Sequence, residues 1–116
     1  MSARSVHVTI ENRTGFDLTL KNVWLPSAGG TLNPWPPSEI ENETKAEWDN
    51  NSNGPGLGVE ASVSYSSPAG EFYIHWDDPY IGSNKYEVYQ PDGYEHSMDG
   101  GSGNNASIKV VFEPTL

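Results

Sequence analysis

Short alternations of apolar and polar residues recur along this chain, and they leave little room for any fold other than an all-β one. The clearest lie at residues 59–65, 72–76 and 108–112, where every second residue is apolar. A period of two places alternate side chains on opposite faces of a strand, so each run predicts a strand with one buried face. Between the runs, 12 glycines and 9 prolines supply the turns that short strands require. No long segment has the apolar spacing of a helix.

These runs predict an all-β fold, an antiparallel β-sandwich of seven to nine short strands, formed by residues 1–116 as a single domain. Turn signals recur roughly every ten residues, which favours a sandwich over an open sheet. Only 34% of the residues are hydrophobic, so the aromatic residues, 11% of the chain, must supply much of the core.

Three local predictions concern how the strands pair. Residues 6–10 and 16–20 alternate on either side of a turn at 12–15, which predicts a first hairpin. The turn residues at 66–70 predict a second hairpin between the runs that flank them. Residues 39–48 fit either one interrupted strand or two short ones.

The chain is acidic, with 16 Asp and Glu residues against 6 Lys and Arg residues and a formal net charge of −10. Because non-specific nucleic-acid binding depends on Lys and Arg contacts to phosphates, we expect no nucleic-acid partner. The same shortage of basic residues argues against polybasic attraction to anionic lipids. A membrane partner would be recognised through neutral or zwitterionic head groups and aromatic side chains. Solubility alone would also account for the charge.

Cysteine is absent, which excludes disulfides, thiolate chemistry and Cys-based zinc sites. Residues 1–12 lack the apolar core of a signal peptide, and no run approaches the ~20 apolar residues of a spanning helix. We therefore expect a soluble protein made in the cytosol, whose action on other cells would require release without a classical signal.

One segment matches a calcium-loop pattern. Asp49, Asn51, Asn53 and Gly54, followed by Glu60, satisfy D-x-[DN]-x-[DN]-G-x5-E in full. Short oxygen donors at this spacing can wrap a hard cation, so the set predicts a possible Ca²⁺ site. Asn and Asp also form turns without any ligand, and no helices flank the segment. We therefore expect either that the protein has no cofactor or that it binds Ca²⁺.

The sequence does not predict an enzyme. Asp77 and Asp78 are adjacent in a predicted strand, so their side chains should point to opposite faces instead of sharing a substrate. His7, His75 and His96 are scattered and belong to no metal-binding or nucleophile motif. We predict binding without catalysis.

Residues 72–89 indicate a strand, a rigid corner and a second strand. Pro79 cannot donate to a sheet ladder, so pairing should stop there, and residues 82–84 supply turn chemistry. The corner should display Trp76, Asp77, Asp78, Tyr80 and Asn84 close together. Trp76 shares the phase of the apolar residues before it, which leaves open whether it belongs to the core or to a binding surface.

The run at residues 72–84 resembles the W-D-x-P-x-x-G-S-N corner of the aegerolysins. The matching residues are Trp76, Asp77, Pro79, Tyr80, Gly82, Ser83 and Asn84. Residues 8–20 also resemble that family's first hairpin, and residues 36–60 are most similar to its bacterial branch, which includes small insecticidal crystal proteins. This chain has Asp78 where many fungal members carry a cysteine.

The resemblance implies a compact β-sandwich that binds membrane lipids of the sphingolipid and sterol type. Family members are often the membrane-recognition component of a cytolytic, haemolytic or insecticidal toxin system that acts with a larger, perforin-like pore-forming protein. The predicted lipid-binding residues are Trp76, Tyr80, Trp35, Asp77 and Asn84. The three aromatic residues would contact the membrane, and the two polar residues would hold the corner or bind a head group. The alternative is a calcium- or carbohydrate-binding β-sandwich module without cytolytic activity.

Overall fold

The computed structural model describes residues 3–116, which form ten strands in two five-stranded sheets. The strands are β1 (Ser5–Asn12), β2 (Leu18–Trp24), β3 (Thr31–Leu32), β4 (Glu39–Ile40), β5 (Lys45–Asn51), β6 (Val59–Ser67), β7 (Gly70–Asp78), β8 (Lys85–Tyr89), β9 (Tyr94–Gly100) and β10 (Asn105–Pro114). Sheet A has the order β3-β5-β1-β10-β9, and sheet B has the order β4-β2-β6-β7-β8. The predicted all-β sandwich is confirmed. The strands outnumber the expected seven to nine because the two-residue β3 and the mostly polar β9 lack the alternation that predicts a strand.

The core lies between the two sheets and is built from the inward phase of each alternating run. Its largest members are aromatic residues that meet across the sandwich. Trp48 of sheet A lies 6.1 Å from Trp76 of sheet B, and Phe112 lies 4.9 Å from Phe72, measured between ring centroids. All four side chains are buried. The scarce hydrophobic residues are thus concentrated where they bury the most area.

Of the two predicted hairpins, one is confirmed and one is wrong. β6 and β7 pair from Ser67 opposite Gly70, as expected for a tight turn. β1 and β2, by contrast, belong to different sheets, so the turn between them crosses the sandwich. The buried side chain of Asn12 directs this crossing, since its Nδ2 donates to the carbonyls of Phe16 and Ile40. Alternation fixes which face of a strand is buried, but it does not fix the partner strand.

Two further differences concern weakly patterned strands. Residues 39–48 contain two strands, β4 and β5, and β5 continues to Asn51 into a segment expected to be a loop. The edge strand β9 was not predicted. It is mostly polar and exposed, and only Tyr94 and Met98 pack partly against the core. β1 and β10 also pair in parallel, whereas every other ladder between the described strands is antiparallel.

The topology determines which loops lie together. β3 and β4 form one lateral edge of the sandwich, and β8 and β9 form the other. The loops at residues 52–58, 79–84 and 101–104 all emerge at one end, and we call them the corner loops. Within residues 3–116, no helix is long and apolar enough to cross a membrane.

Candidate functional site

Two of the corner loops, at residues 79–84 and 101–104, border a cleft of about 430 Å³ at the end of β7. We call it the corner cleft. Its lining includes Arg4, Asp78, Tyr80, Ser83, Asn84 and Ser102. It combines one basic and one acidic side chain with hydroxyl and amide groups, which suits a small polar or zwitterionic ligand.

Trp76 lies in the core and is not part of the cleft lining. It is fully buried, and its Nε1 donates to Oδ1 of the equally buried Asn50 at 2.8 Å. The Nδ2 of Asn50 in turn donates to the carbonyl of Gly29 at 3.1 Å. The prediction that Trp76 contacts lipid is therefore wrong, because the phase it shares with Phe72 and Ile74 places it between the sheets.

Asp77 and Asp78 face opposite sides of β7, as predicted, but Asp77, the predicted head-group or corner residue, does not line the cleft. Asp77 points to the outer face of sheet B, in register with Glu60 and Lys85, and is not part of the cleft lining. Partial burial raises the pKa of Asp77, and the neighbouring Glu60 carboxylate raises it further. The cleft instead receives Asp78. The sequence contains a signal for this position, because Asp78 follows Trp76 by two residues and so shares its inward-facing side of the strand.

Asp78 is a buried carboxyl group without a full set of partners. Asp78 is 1% exposed, and its Oδ2 has no hydrogen-bond partner. Oδ1 lies 4.0 Å from Nε of Arg4, which is too far for a hydrogen bond. Burial raises the pKa of Asp78 to about 6, against the opposing influence of Arg4 and with a small further rise from Asp77. An anion held in this way favours a ligand that donates hydrogen bonds.

Arg4 fixes the loop after β7 in place. Its guanidinium donates to the carbonyls of Ala3, Pro79 and Tyr80 and lies 4.5 Å from the centre of the Tyr80 ring. The contacts with Pro79 and Tyr80 join positions about 75 residues apart, so no local sequence pattern could have indicated them.

Asn84 ties two corner loops together. Its Nδ2 donates to the carbonyls of Gly101 and Gly103 at 3.0 and 2.9 Å. Gly101 has a φ of +103°, and a Cβ there would lie 2.8 Å from the ring of Tyr86. A glycine is therefore required for this close approach. Asn84 shapes the cleft through these backbone contacts.

Apolar side chains project from the corner loops. Tyr80 is 45% exposed and Ile81 is 85% exposed, and Leu57 on the adjacent loop is 44% exposed. The two loops are in contact, because a Cβ at Gly58 would lie within 3 Å of the backbone of Pro79 and Tyr80. We call Leu57, Tyr80 and Ile81 the apolar tip.

Trp35 is exposed, but the structure does not bring it to the corner cleft. It lies in the linker between β3 and β4, which form one lateral edge of the sandwich. The hydroxyl of Tyr65 donates to the carbonyl of Pro37 and anchors this linker. Tyr80 follows β7 and leads into β8, the strand at the opposite edge of sheet B.

The predicted calcium ligands Asp49, Asn51, Asn53 and Glu60 do not converge, so that prediction is wrong. Asp49 contacts His7 on the outer face of sheet A, whereas Glu60 contacts His75 on the outer face of sheet B. Strand alternation and membership of different sheets separate the ends of the motif. Elsewhere in residues 3–116, no group of three or more His, Cys, Asp or Glu side chains could hold a metal ion.

A second cluster of charged side chains lies on the outer face of sheet A. His7 contacts Asp49 through Nδ1 at 2.6 Å and Glu47 through Nε2 at 2.9 Å. Partial desolvation by itself lowers the pKa of His7, but the hydrogen bonds to Asp49 and Glu47 outweigh it and raise the pKa. We call these three residues the His7 cluster. Each ring nitrogen of His7 therefore has a carboxylate partner.

Comparison with known proteins identifies the fold. No protein-family model matches the chain, and neither does any curated protein sequence. Among solved structures, the crystal structure of the lipid binding protein Nakanori at 1.5 Å superimposes with a TM-score of 0.79. The match covers 97% of this chain and 72% of that chain, at 15% sequence identity. The chain is therefore similar to that lipid-binding protein in its β-sandwich fold.

Proposed function

We propose that this protein binds lipid membranes through the apolar tip and the corner cleft behind it. The observation that carries the proposal is the exposure of Tyr80 and Ile81 on the tip, directly beside a polar cleft. Two further findings support it: the fold is similar to that of a lipid-binding protein, and the corner residues match the aegerolysin pattern. The proposed activity is binding, without catalysis.

The physical basis is insertion of a few apolar side chains at the membrane interface. Transfer of a Leu or Ile side chain from water contributes roughly 1.5–3 kcal/mol when it is fully buried. A tyrosine suits the interface because its ring is apolar and its hydroxyl remains hydrated. With a formal charge of −10, the protein would be repelled by anionic surfaces, so neutral or zwitterionic lipids are the expected target.

The more specific part of the proposal depends on the aegerolysin resemblance. We propose that the target is a sphingolipid, often accompanied by sterol, and that the protein acts at the membranes of other cells after non-classical release. In that role it would be the membrane-recognition component of a cytolytic or insecticidal system, and a larger perforin-like partner would form the pore. The protein alone would then bind vesicles without making them leak.

Vesicle co-sedimentation at about 0.15 M salt tests membrane binding. The vesicles would contain sphingomyelin or ceramide phosphoethanolamine, each with and without cholesterol, and phosphatidylserine vesicles would serve as the anionic comparison. We expect binding to a neutral sphingolipid mixture and no binding to phosphatidylserine. Absence of binding to every mixture would refute the proposal.

Matched tyrosine variants locate the contact surface. Tyr80→Ser removes a ring from the apolar tip, whereas Tyr89→Ser removes a similarly exposed ring from β8, where it stacks on Tyr73. We expect Tyr80→Ser and Ile81→Ser each to weaken vesicle binding about tenfold or more. Tyr89→Ser should bind like the wild type. Trp35→Ala tests whether the lateral linker also contacts lipid, and equal loss in all four variants would argue against a localised tip.

A further inference from the structure

The outer face of sheet B carries aromatic side chains that the core does not use. Trp24 on β2 is 45% exposed and Tyr89 on β8 is 57% exposed, and neither packs against the hydrophobic core. Both lie on strands, so the sheet holds them in fixed positions, whereas the apolar tip lies on loops. Large rings left in water on a rigid surface indicate a contact surface.

Trp24 forms the first of two platforms on this face. In the sheet register Trp24 lies opposite Ser62 of β6, and Ser62 lies opposite His75 of β7. The rings of Trp24 and His75 are 6.0 Å apart, measured between centroids. The Trp24 ring therefore reaches across Ser62, which is only 4% exposed. The indole lies along the sheet, and its exposed area is a flat surface that a ligand can cover.

The second platform is a stacked pair of tyrosines. Tyr73 and Tyr89 lie opposite each other on β7 and β8, and their rings are 5.7 Å apart with an angle of 25° between the planes. Strands β2 and β8 are separated by β6 and β7, so the backbones that carry Trp24 and Tyr89 lie about 14 Å apart at an interstrand spacing of about 4.8 Å. This separation suits a ligand made of several linked rings.

Hydrogen-bond acceptors lie beside the platforms. Nε2 of His75 contacts Glu60 at 2.8 Å, and Nδ1 of His75 lies 3.3 Å from Glu87. Glu87 also accepts a hydrogen bond from the hydroxyl of Tyr89 at 2.9 Å. The side chains of Glu60 and Glu87 are 35% and 54% exposed, and carboxylate oxygens have spare lone pairs, so both can accept further hydrogen bonds from a ligand.

The charge of this face discriminates between possible occupants. Its outward side chains include carboxylates at residues 60, 71, 77 and 87 and lysines at residues 21 and 85. A second copy docked through the same face would place carboxylates against carboxylates, and a bilayer would have to desolvate them. A neutral sugar chain avoids both costs. Its C–H groups pack on aromatic rings, and its hydroxyls donate to carboxylates.

We propose that the outer face of sheet B binds a neutral oligosaccharide, with Trp24 and the Tyr73–Tyr89 pair as stacking platforms and Glu60 and Glu87 as acceptors. Because both platforms lie on one sheet, the ligand is an extended chain, as β-1,4-linked sugars of the glucose type are. Their rings present C–H groups on both faces. The site shares no residue with the corner cleft or the apolar tip and does not rest on the membrane function.

Calorimetry with soluble oligosaccharides tests the ligand class. The probes are cellotetraose and chitotetraose as extended neutral chains, maltotetraose as a coiled neutral chain, and cellotetraose carboxylated at C6 as an acidic chain. We expect an extended neutral chain to bind about tenfold or more tightly than the coiled and acidic chains. Failure of both extended chains to bind, or equal or tighter binding of the coiled or acidic chain, would overturn the inference.

Matched tryptophan variants locate the site. Trp24→Ala should weaken binding of the extended chain about tenfold or more, and Trp24→Phe, which keeps an aromatic platform, should weaken it less. Trp35→Ala is the control, because Trp35 is similarly exposed, at 54%, but lies in the linker between β3 and β4, and it should bind like the wild type. Circular dichroism would verify that the variants fold. Wild-type affinity in Trp24→Ala would refute the assignment.

Two tyrosine variants separate this site from the proposed membrane surface. Tyr89→Ser should lose oligosaccharide binding and keep vesicle binding, whereas Tyr80→Ser should show the reverse. If no vesicle is bound but the extended chain binds and depends on Trp24, the membrane proposal fails and the oligosaccharide site stands. If Tyr80→Ser loses oligosaccharide binding and Tyr89→Ser keeps it, the sugar belongs to the corner and this inference fails.

Discussion

The corner cleft and the His7 cluster are two regions that bring carboxylates close to a cationic side chain, and they differ in whether the charges are satisfied. In the His7 cluster, both ring nitrogens contact a carboxylate, at 2.6 and 2.9 Å. In the cleft, Asp78 lies 4.0 Å from Arg4 and has one oxygen without a partner. The cluster is also exposed to water, whereas Asp78 is buried. The comparison teaches that proximity of charges does not identify a site. A buried group that lines a cleft and lacks a hydrogen-bond partner is the stronger indication.

The largest expected effect concerns Trp76, which is buried in the core. Trp76→Ala should lower the free energy of unfolding by about 3–5 kcal/mol, because it opens a cavity in the core and leaves Oδ1 of Asn50 without its donor. Trp35→Ala, at a 54% exposed position, should change it by less than about 0.5 kcal/mol. Urea denaturation of the two variants measures both values. A small loss in both variants would mean that burial of Trp76 contributes little to stability.

The second prediction concerns the cost of the unsatisfied carboxyl group. The pKa of Asp78 rises from its ordinary 3.8 to about 6, so the folded protein binds this proton more tightly than the unfolded chain does. Stability should therefore fall as pH rises from about 4 to about 6, by up to about 3 kcal/mol, and then level off.

Asp78→Asn should remove this pH dependence and make the protein more stable than the wild type at about pH 7.5. Asp49→Asn in the His7 cluster is the control, and it should instead lower stability by at most about 1 kcal/mol because it removes a favourable exposed contact. Thermal unfolding across the pH range measures both variants. A destabilised Asp78→Asn protein would show that the carboxylate is satisfied after all.

The third prediction concerns the loop contacts of the cleft. Asn84→Ala removes hydrogen bonds to the carbonyls of Gly101 and Gly103, so we expect a loss of about 1–2 kcal/mol. Hydrogen exchange should increase in residues 101–104 and remain unchanged in β1, whose contacts do not involve this side chain. Unchanged exchange in that loop would contradict the positioning role of Asn84.

The smallest expected effect belongs to the His7 cluster. Because its pKa is raised in the folded state, the charged form of His7 contributes stability that is fully present below about pH 6.5 and is lost as pH rises through the folded-state value. The side chain is 37% exposed, so screening should limit the contribution to a few tenths of a kcal/mol. His7→Gln should be less stable than the wild type at about pH 6 and closer to it at about pH 8. A constant difference from pH 6 to 8 would rule out this linkage.

Sequence reasoning was most successful where a residue's neighbours in the chain decide its environment. The alternation at residues 72–76 correctly predicted a buried face and a hairpin with β6. Continued by two residues, the same phase would also have placed Asp78 inside the sandwich. Sequence reasoning was less successful where contacting residues are distant in the chain. Three features depend on which sheet each strand joins. They are the crossing at Asn12, the contacts of Arg4 with Pro79 and Tyr80, and the separation of Asp49 from Glu60.

The sequence by itself determined the all-β class, the buried phase of the strong strands and the turn after Pro79, because these follow from local backbone geometry and side-chain alternation. Only the tertiary structure decided that Trp76 packs in the core, that Asp78 and not Asp77 lines the cleft, and that Arg4 approaches Asp78 without a hydrogen bond. Strand order and sheet membership are set by the packing of the whole core. Pairwise distances between residues far apart in the chain therefore appear only once the sandwich has closed.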